Sequence, residues 1–354
     1  MHRLMQGEAR GLRRPRLLLV SLAVLTTLGL AATAQSAVRA PKAASATHAK
    51  VTLALVLDDL TNPVELPLRK GAKDAAKKLG FDLKIVGPSP NTAQQQISLL
   101  QDLTAQKVSG IVILPVDSTA LVPAINAAVD AGIPVATTEL DAPTSKRSFF
   151  YFGGTPPLQQ GQIQADKVAA YFKSKGATGT VNYVVTSCLP TVTGQQDRRK
   201  GFEQEAAKLN KSNKAFQLKE IAFANTTTDP AKNLVNIQNL YTAHHSQMQV
   251  AYAMCGPDTQ NWGTVLSRNS DHKILVAGYD WLPKTLDLIG QGWVGWALGS
   301  SLYDEGLHTF TVLYNHFAKG GPLPTGFTSG KSTYATKANL AAVRNSPDVK
   351  AANG

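Results

Sequence analysis

The chain has 354 residues, 43% of them hydrophobic and 17% charged, which excludes disordered and collagen-like classes and supplies enough apolar surface for two domains. Its formal charge of +12 points first to nucleic acid, but the opening fifty residues hold eight Lys and Arg against one acid, Glu8, and beyond them 28 basic and 23 acidic residues remain. That modest excess, spread along the chain without a basic block, argues against a nucleic-acid partner.

In chain order, a basic stretch containing Arg10, Arg13, Arg14 and Arg16 precedes an uncharged run from Leu17 to Ala32 and the small residues Ala32-Thr33-Ala34. This is the plan of a cleaved secretory signal peptide over 1–34, its apolar run short for a membrane span of roughly 20 residues. Arg13-Arg14 leaves a twin-arginine route open, and no cysteine stands near the cleavage region to carry a lipid. Residues 35–50 read as a flexible leader. The expectation is export to the periplasm or the outer side of the cell envelope, where a disulfide can persist.

From Val51 onward short β-rich runs alternate with stretches of helical period. VTLALVL at 51–57 is almost wholly apolar, as a parallel strand covered on both faces must be. Asn62-Pro63 reads as a cap and a first-turn proline, and Val64, Leu68, Ala72, Ala75 and Leu79 carry the helical stripe up to Gly80. The same unit recurs with strands at 81–86, 110–114, 133–137 and 149–152, then at 180–186, 216–223, 249–254 and 273–279. Strands alternating with helices require a parallel sheet with right-handed crossovers, and so many strands are best divided between two α/β lobes. Gly153-Gly154-Thr155-Pro156-Pro157 marks the break, and the cluster at 320–326 reads as a return connection.

In open parallel sheets ligands sit at the carboxyl ends of the strands. There the sequence places Asp58, Asp59 and Asn62, then Asp117, Glu139, Cys188, Cys255, Asp258, Asp280 and Trp281, polar groups and aromatics suited to a small polar molecule. Asp58 and Asp59 are equally candidates for helix caps, Asp117 is read first as the cap of a helix beginning near Ser118, and Trp262, Trp293 and Trp296 are read as core. Enzyme signatures fail: Gly326-Phe327-Thr328-Ser329-Gly330-Lys331-Ser332 is one residue short of a phosphate-binding loop, there is no nucleophile elbow, and adjacent His244 and His245 point apart on a helix. Asp58-Asp59 lacks the third aspartate of a calcium cluster, so no catalytic residue, metal or cofactor is expected.

The chain resembles the periplasmic sugar-binding proteins of ABC importers, the ribose-binding-protein-like group with the type I fold, from about Val51 to Phe317. The resemblance rests on Thr61-Asn62-Pro63, the helix from Lys70 to Gly80, the stretch GIVILPVDSTALVPAINAAVDAGIPV at 110–135, Arg198-Arg199-Lys200-Gly201-Phe202, Ala277-Gly278-Tyr279-Asp280 and Tyr303-Asp304-Glu305-Gly306. It implies two Rossmann-like lobes with parallel sheets joined by a three-strand hinge, the first over 51–154 and 301–325, the second over 155–300 and 326–354. It also implies a monomer that closes on a sugar-like ligand and delivers it to a membrane permease. Asn62, Glu139, Arg198 and Asp280 fall on the family's ligand positions, with Asp59, Cys255, Asp258, Trp281 and Ser300 completing the expected set.

The departures are as informative. Val64 and Glu65 stand where the family has two aromatics, Thr228 where it has a third, Cys255 where an Asn-Asp pair begins, and Ser300 where a Gln is expected at the hinge. Either Trp281, Trp262 and Tyr151 supply new stacking faces or the ligand is no simple aldose. In the resembled topology the strands ending near Cys188 and Cys255 are neighbours, about 4.8 Å apart, which implies a disulfide at the cleft edge; two buried free thiols are the alternative. A sensory receptor of the same fold and a secreted hydrolase remain competing readings. A transcription factor is opposed by the export signal.

Overall fold

A computed structural model describes residues 50–89 and 92–353; the expected signal peptide (1–34) and nearly all of the expected leader lie outside the described residues. The first lobe opens with β1 (Thr52–Val56), followed by a short turn of 3-10 helix in which the Asn62 side chain accepts from the Val64 amide at 3.2 Å. Then come α1 (Leu66–Leu79), stopped by Gly80 at φ 81°, β2 (Asp82–Val86), α2 (Ala93–Ala105) and β3 (Gly110–Ile113). Next, α3 (Val122–Asp130), β4 (Val135–Thr138) and β5 (Phe149–Phe152) complete the unit. Asp117 serves as a turn cap, accepting from the amides of Thr119 and Ala120 at 2.8 Å each, and this extra turn delays α3 beyond its expected start at Ser118.

The second lobe runs α4 (Pro157–Ser174), β6 (Gly179–Ser187), α5 (Thr193–Ser212), β7 (Phe216–Asn225), α6 (Pro230–His244), β8 (Val250–Ala253), α7 (Gly256–Arg268), β9 (Leu275–Tyr279), α8 (Pro283–Gln291) and β10 (Trp296–Gly299). The chain then recrosses: α9 (Leu302–Lys319) packs on α1, β11 (Phe327–Ser329) joins the first sheet and β12 (Thr333–Ala335) the second. Two short helices, α10 (Leu340–Arg344) and α11 (Pro347–Asn353), finish the described chain.

The sheets read β11-β5-β4-β3-β1-β2 and β12-β10-β9-β8-β6-β7, and apart from the shared last-strand positions each repeats one doubly wound order. Every pairing is parallel except β10 with β12. Two differences from expectation stand out. Strands β10 (WALG), β11 (FTS) and β12 (TYA) are not among the expected ones. The segment expected wholly in the second lobe, 326–354, instead divides. β11 pairs with β5 of the first sheet, and α11 lies against α1 and α9, where Asp348 accepts from the Tyr303 amide at 2.8 Å. The phosphate-loop lookalike at 326–332, already short of that motif in sequence, is β11 plus a hinge crossing, fixed by Gly330 donating to the Phe152 carbonyl at 2.8 Å.

The three crossings lie side by side. Thr155 and Ser332 exchange amide-to-hydroxyl bonds of 3.0 and 3.1 Å, Ser300 and Ser332 hydroxyls meet at 3.1 Å, and the Ser301 amide donates to the Gly153 carbonyl at 2.9 Å. A Cβ on Gly154 would stand 2.1 Å from Ser300 Oγ, so this crossing requires a bare backbone.

Apolar clusters cover both faces of each sheet, among them Val56, Ile111, Ile113 and Val135 on one face of the first and Val184, Ala251, Trp262 and Val276 on one face of the second. One pair of helices in each lobe packs at backbone contact through reciprocal glycines. In α1 and α9, a Cβ on Gly71 would fall 2.1 Å from the Tyr303 carbonyl and one on Gly306 2.2 Å from that of Leu68. In α4 and α5, Gly161 stands 2.0 Å from the Arg198 carbonyl and Gly201 1.9 Å from that of Leu158 on the same construction. Because interiors are close-packed, Gly161→Ala and Gly71→Ala should each lower stability by about 1–3 kcal/mol or more in denaturant titration; wild-type midpoints in both would contradict this packing.

Candidate functional site

The carboxyl ends of the two sheets face one another across a cavity of about 50 Å³. From the first lobe, Asp58, Asn62 and Glu65 reach it from the segment after β1, Leu114 from the end of β3, Glu139 and Leu140 from the end of β4, and Phe152 from β5. The second lobe contributes Cys188 and Leu189 after β6, Gln195 and Arg198 from the first turns of α5, Cys255 and Pro257 after β8, and Asp280 after β9. The lobes touch around it: Thr228 donates to Asp59 at 3.2 Å, the Ser118 amide donates to Thr193 Oγ1 at 3.4 Å, and Gly194 sits where any Cβ would strike Leu140.

Backbone conformation aims two of the carboxylates. Glu139 and Asp280, each the first residue after its strand, have φ of 54° and 65°, the left-handed region that non-glycine residues seldom occupy and that recurs where side chains are held for function. Glu305 of α9, fully buried, braces the first of these turns by accepting from Thr138 Oγ1 and the Glu139 amide, and reaches the hinge by accepting from the Gly153 amide at 3.1 Å. Arg198 is held as firmly. Its Nε donates to Gln160 at 2.8 Å, its Nη1 to the Met254 carbonyl at 2.9 Å, and its guanidinium lies 4.2 Å above the Tyr279 ring.

Of the expected ligand residues, Asn62, Glu139, Arg198, Cys255 and Asp280 line this cavity together. The other four do not. Asp59 is spent on the loop and the opposite lobe, accepting from the Thr61 amide and hydroxyl at 2.8 and 2.7 Å as well as from Thr228; its neighbour Asp58 lines the cavity instead. Asp258 is buried behind the site, where Thr226 and Asn233 donate to it at 2.6 Å each, ordering the loop ahead of α6. Trp281 donates to the Ala297 carbonyl at 3.2 Å and, with Ser300, lines a separate hollow of about 30 Å³ beside the hinge. Trp262 is core and Tyr151 stacks on His308 at 4.5 Å, so Phe152 is the aromatic lining the main cavity. Glu65 and Gln195 were not among the expected residues. Glu65 sits one helical turn after Asn62, whose Nδ2 donates to it at 3.3 Å, and that spacing was the available signal.

Cys188 and Cys255 are joined by a disulfide with Cα atoms 6.3 Å apart, tying the loops that leave β6 and β8, which pair in parallel. Among the described residues there is no free cysteine, no grouping of His, Cys, Asp and Glu arranged to hold a metal ion, and no helix long and apolar enough to cross a membrane.

Burial raises every carboxyl here. Asp58 is pushed up to about 8, by desolvation first and then by the Glu139 charge. Glu139 rises to about 7 through desolvation, with the Glu65 hydrogen bond and Arg198 opposing. Glu65 and Glu305 move well above the usual range for the same first reason with Glu139 adding, and Asp280 rises by burial against the pull of Arg198.

Residues 53–321 match the family described as periplasmic binding protein domain. The ribose import binding protein of Escherichia coli strain K12 is 29% identical over 244 residues, covering 69% of this chain and 77% of that one. The D-allose-binding periplasmic protein of the same organism is 24% identical over 277 residues, 77% of this chain and 86% of that one. Among solved structures, the glucose-galactose binding protein GanP from Geobacillus stearothermophilus aligns with a TM-score of 0.70 at 25% identity, over 82% of this chain and 99% of its own.

Two outcomes follow from this geometry. Between about pH 4 and pH 8 the folded protein keeps protons on Asp58 and Glu139 that the unfolded chain has released, so their contribution to stability is full at low pH and is lost as pH rises through about 7 and 8. The unfolding temperature of the ligand-free protein should fall across that window, and Glu139→Gln should flatten the fall; a midpoint that climbs instead contradicts the protonated cluster. The disulfide, with partners 67 residues apart, should contribute up to about 4 kcal/mol. Replacing both cysteines by serine should lower the midpoint, and without reductant neither cysteine should take up an alkylating reagent, a result that labelling of both would reverse.

Proposed function

Because the chain belongs to the periplasmic binding protein domain family, we propose that it is the extracytoplasmic solute-binding protein of an ABC importer. It takes a sugar or sugar derivative into the interlobe cavity and presents it to a membrane permease. The observation that carries this reading is the convergence of polar side chains from both lobes on one enclosed space, Asn62 and Glu139 from one side and Arg198 and Asp280 from the other. Relatives named for ribose, allose and glucose-galactose binding support a sugar-like ligand, and the uncharged run from Leu17 to Ala32 supports export.

Mechanistically the protein has to make and break no covalent bond. Carboxylates accept paired hydroxyl hydrogen bonds, and the Arg198 fork donates in fixed geometry to ligand oxygens. Such charge-assisted bonds contribute roughly 1.5–3 kcal/mol each once water is excluded. The closed state alone brings both sets of groups to the ligand, so binding shifts an open ensemble toward it, the crossings at Gly154, Ser300 and Ser332 absorbing the rotation. The protein acts as a monomer and needs no cofactor.

Thermal-shift measurements across pentoses, hexoses, polyols and amino acids should find a ligand that stabilises the fold by about 2.7 kcal/mol at a hundredfold excess over Kd and is recovered unaltered. Asp280→Ala and Arg198→Ala should each weaken its binding tenfold or more. Conversion of the ligand, or wild-type affinity in both variants, would overturn the assignment.

A further inference from the structure

The cavity carries an imbalance of charge. Asp58, Glu65, Glu139 and Asp280 all line it, and Arg198 is the cation among the residues lining it. Asp58 and Glu65 are only 3% and 2% exposed, so bulk water does not compensate them. Arg198 is largely committed elsewhere, to Gln160, to the Met254 carbonyl and to the Tyr279 face.

Unpartnered atoms point the same way. Among the described residues no donor reaches Asp58 Oδ1, Glu65 Oε2 or Glu139 Oε1, all buried. Beyond burial itself, the Glu139 charge holds the Glu65 carboxyl further above its ordinary range. Buried acceptors left without donors are costly, and buried like charges more so. A ligand that filled this space with hydroxyls would supply donors but no charge, so the carboxyls would have to stay protonated, as burial already favours for Asp58 and Glu139. A ligand with an ammonium group would supply up to three donors and a positive charge at the same place. A metal ion is the poorer occupant, because among the described residues the carboxyls do not converge as a metal-ligand group.

We infer that the ligand is a polyhydroxylated amine, an amino sugar or amino polyol, whose ammonium group is received by Asp58, Glu65 and Glu139 of the first lobe while its hydroxyls meet Asn62, Arg198 and Asp280. This rests on the cavity being the ligand site, and it selects a chemical class within that reading. Glu65 is the specificity determinant: it brings a carboxylate into the first helical turn after Asn62, where the remaining cavity neighbour, Val64, is apolar.

The test compares matched pairs on the intact secreted protein at pH 7.5: glucosamine with glucose, galactosamine with galactose, mannosamine with mannose, and 3-amino-3-deoxyribose with ribose. Affinities come from calorimetry and midpoints from thermal shift. In at least one pair the amine should bind tenfold or more tighter than its neutral twin. Glu65→Gln should reduce that ratio about tenfold, and Asp58→Asn serves as the second variant should the first fail to fold. A neutral sugar that binds as tightly as its amine, or a ratio unmoved in both variants, overturns the amine assignment and leaves the cleft reading standing. Absence of binding by every amine while a neutral sugar, polyol or amino acid of the wider screen binds overturns the amine assignment alone, and wild-type affinity for that ligand in Asp280→Ala and Arg198→Ala removes the cleft reading and the amine assignment with it.

Discussion

Keeping carboxyl groups out of water is the constraint around which the cleft is organised. Asp58, Glu65, Glu139 and Glu305 crowd the first-lobe side, and an ionised cluster of that density in a poorly hydrated space would strongly destabilise that lobe. The protein resolves part of the tension by hydrogen bonding, with Glu305 accepting from Thr138, Glu139 and Gly153, and part by protonation, which burial favours for Asp58 and Glu139. The remainder is left as acceptors that face the cavity. Stability is thereby given up at the cavity, where strain of this kind would serve a ligand on the proposed reading.

The hinge is connected to this cluster through side chains. Gln160 donates to Ser332 at 3.1 Å and to Ser300 at 3.4 Å, and its carbonyl oxygen accepts from Arg198 at 2.8 Å. Glu305 makes the matching connection on the other lobe, from the turn that presents Glu139 to the Gly153 amide. Both lobes thus run a hydrogen-bonded route from a cavity residue to a crossing strand. Around these routes the body of each lobe is stiff, since α1 against α9 and α4 against α5 meet at glycine with no side chain between backbones. The disulfide from Cys188 to Cys255 ties the second-lobe loops together.

Much of the architecture was legible in order along the chain. Strands such as VTLALVL and GIVIL are apolar on both faces because helices cover both sides, and that pattern needs no tertiary information to recognise. The strands that escaped were β10, whose apolar WALG is four residues long, and β11 and β12, three residues each and carrying Thr or Ser; the last two take their β character from pairing with a sheet already formed, and so few residues hold too little periodicity to announce it. The same limit explains why the tail could not be divided correctly between lobes.

The sequence by itself determined that strands and helices alternate twice over, that polar residues gather after the strands, and that the N-terminal run has the form of an export signal, because these are properties of local pattern and composition. Only the tertiary structure decided that Asp58 and not Asp59 lines the cavity, that Asp258 orders a loop behind it, that Trp281 and Ser300 belong to the hinge side, and that Glu65 lines the cavity with Glu139. The physical reason is that adjacent carboxylates on one loop are chemically identical in sequence. Which of them faces a guest and which holds a neighbouring strand is settled by the direction of a backbone and the partner waiting there, such as Thr228 on the opposite lobe, and neither exists until the chain has folded.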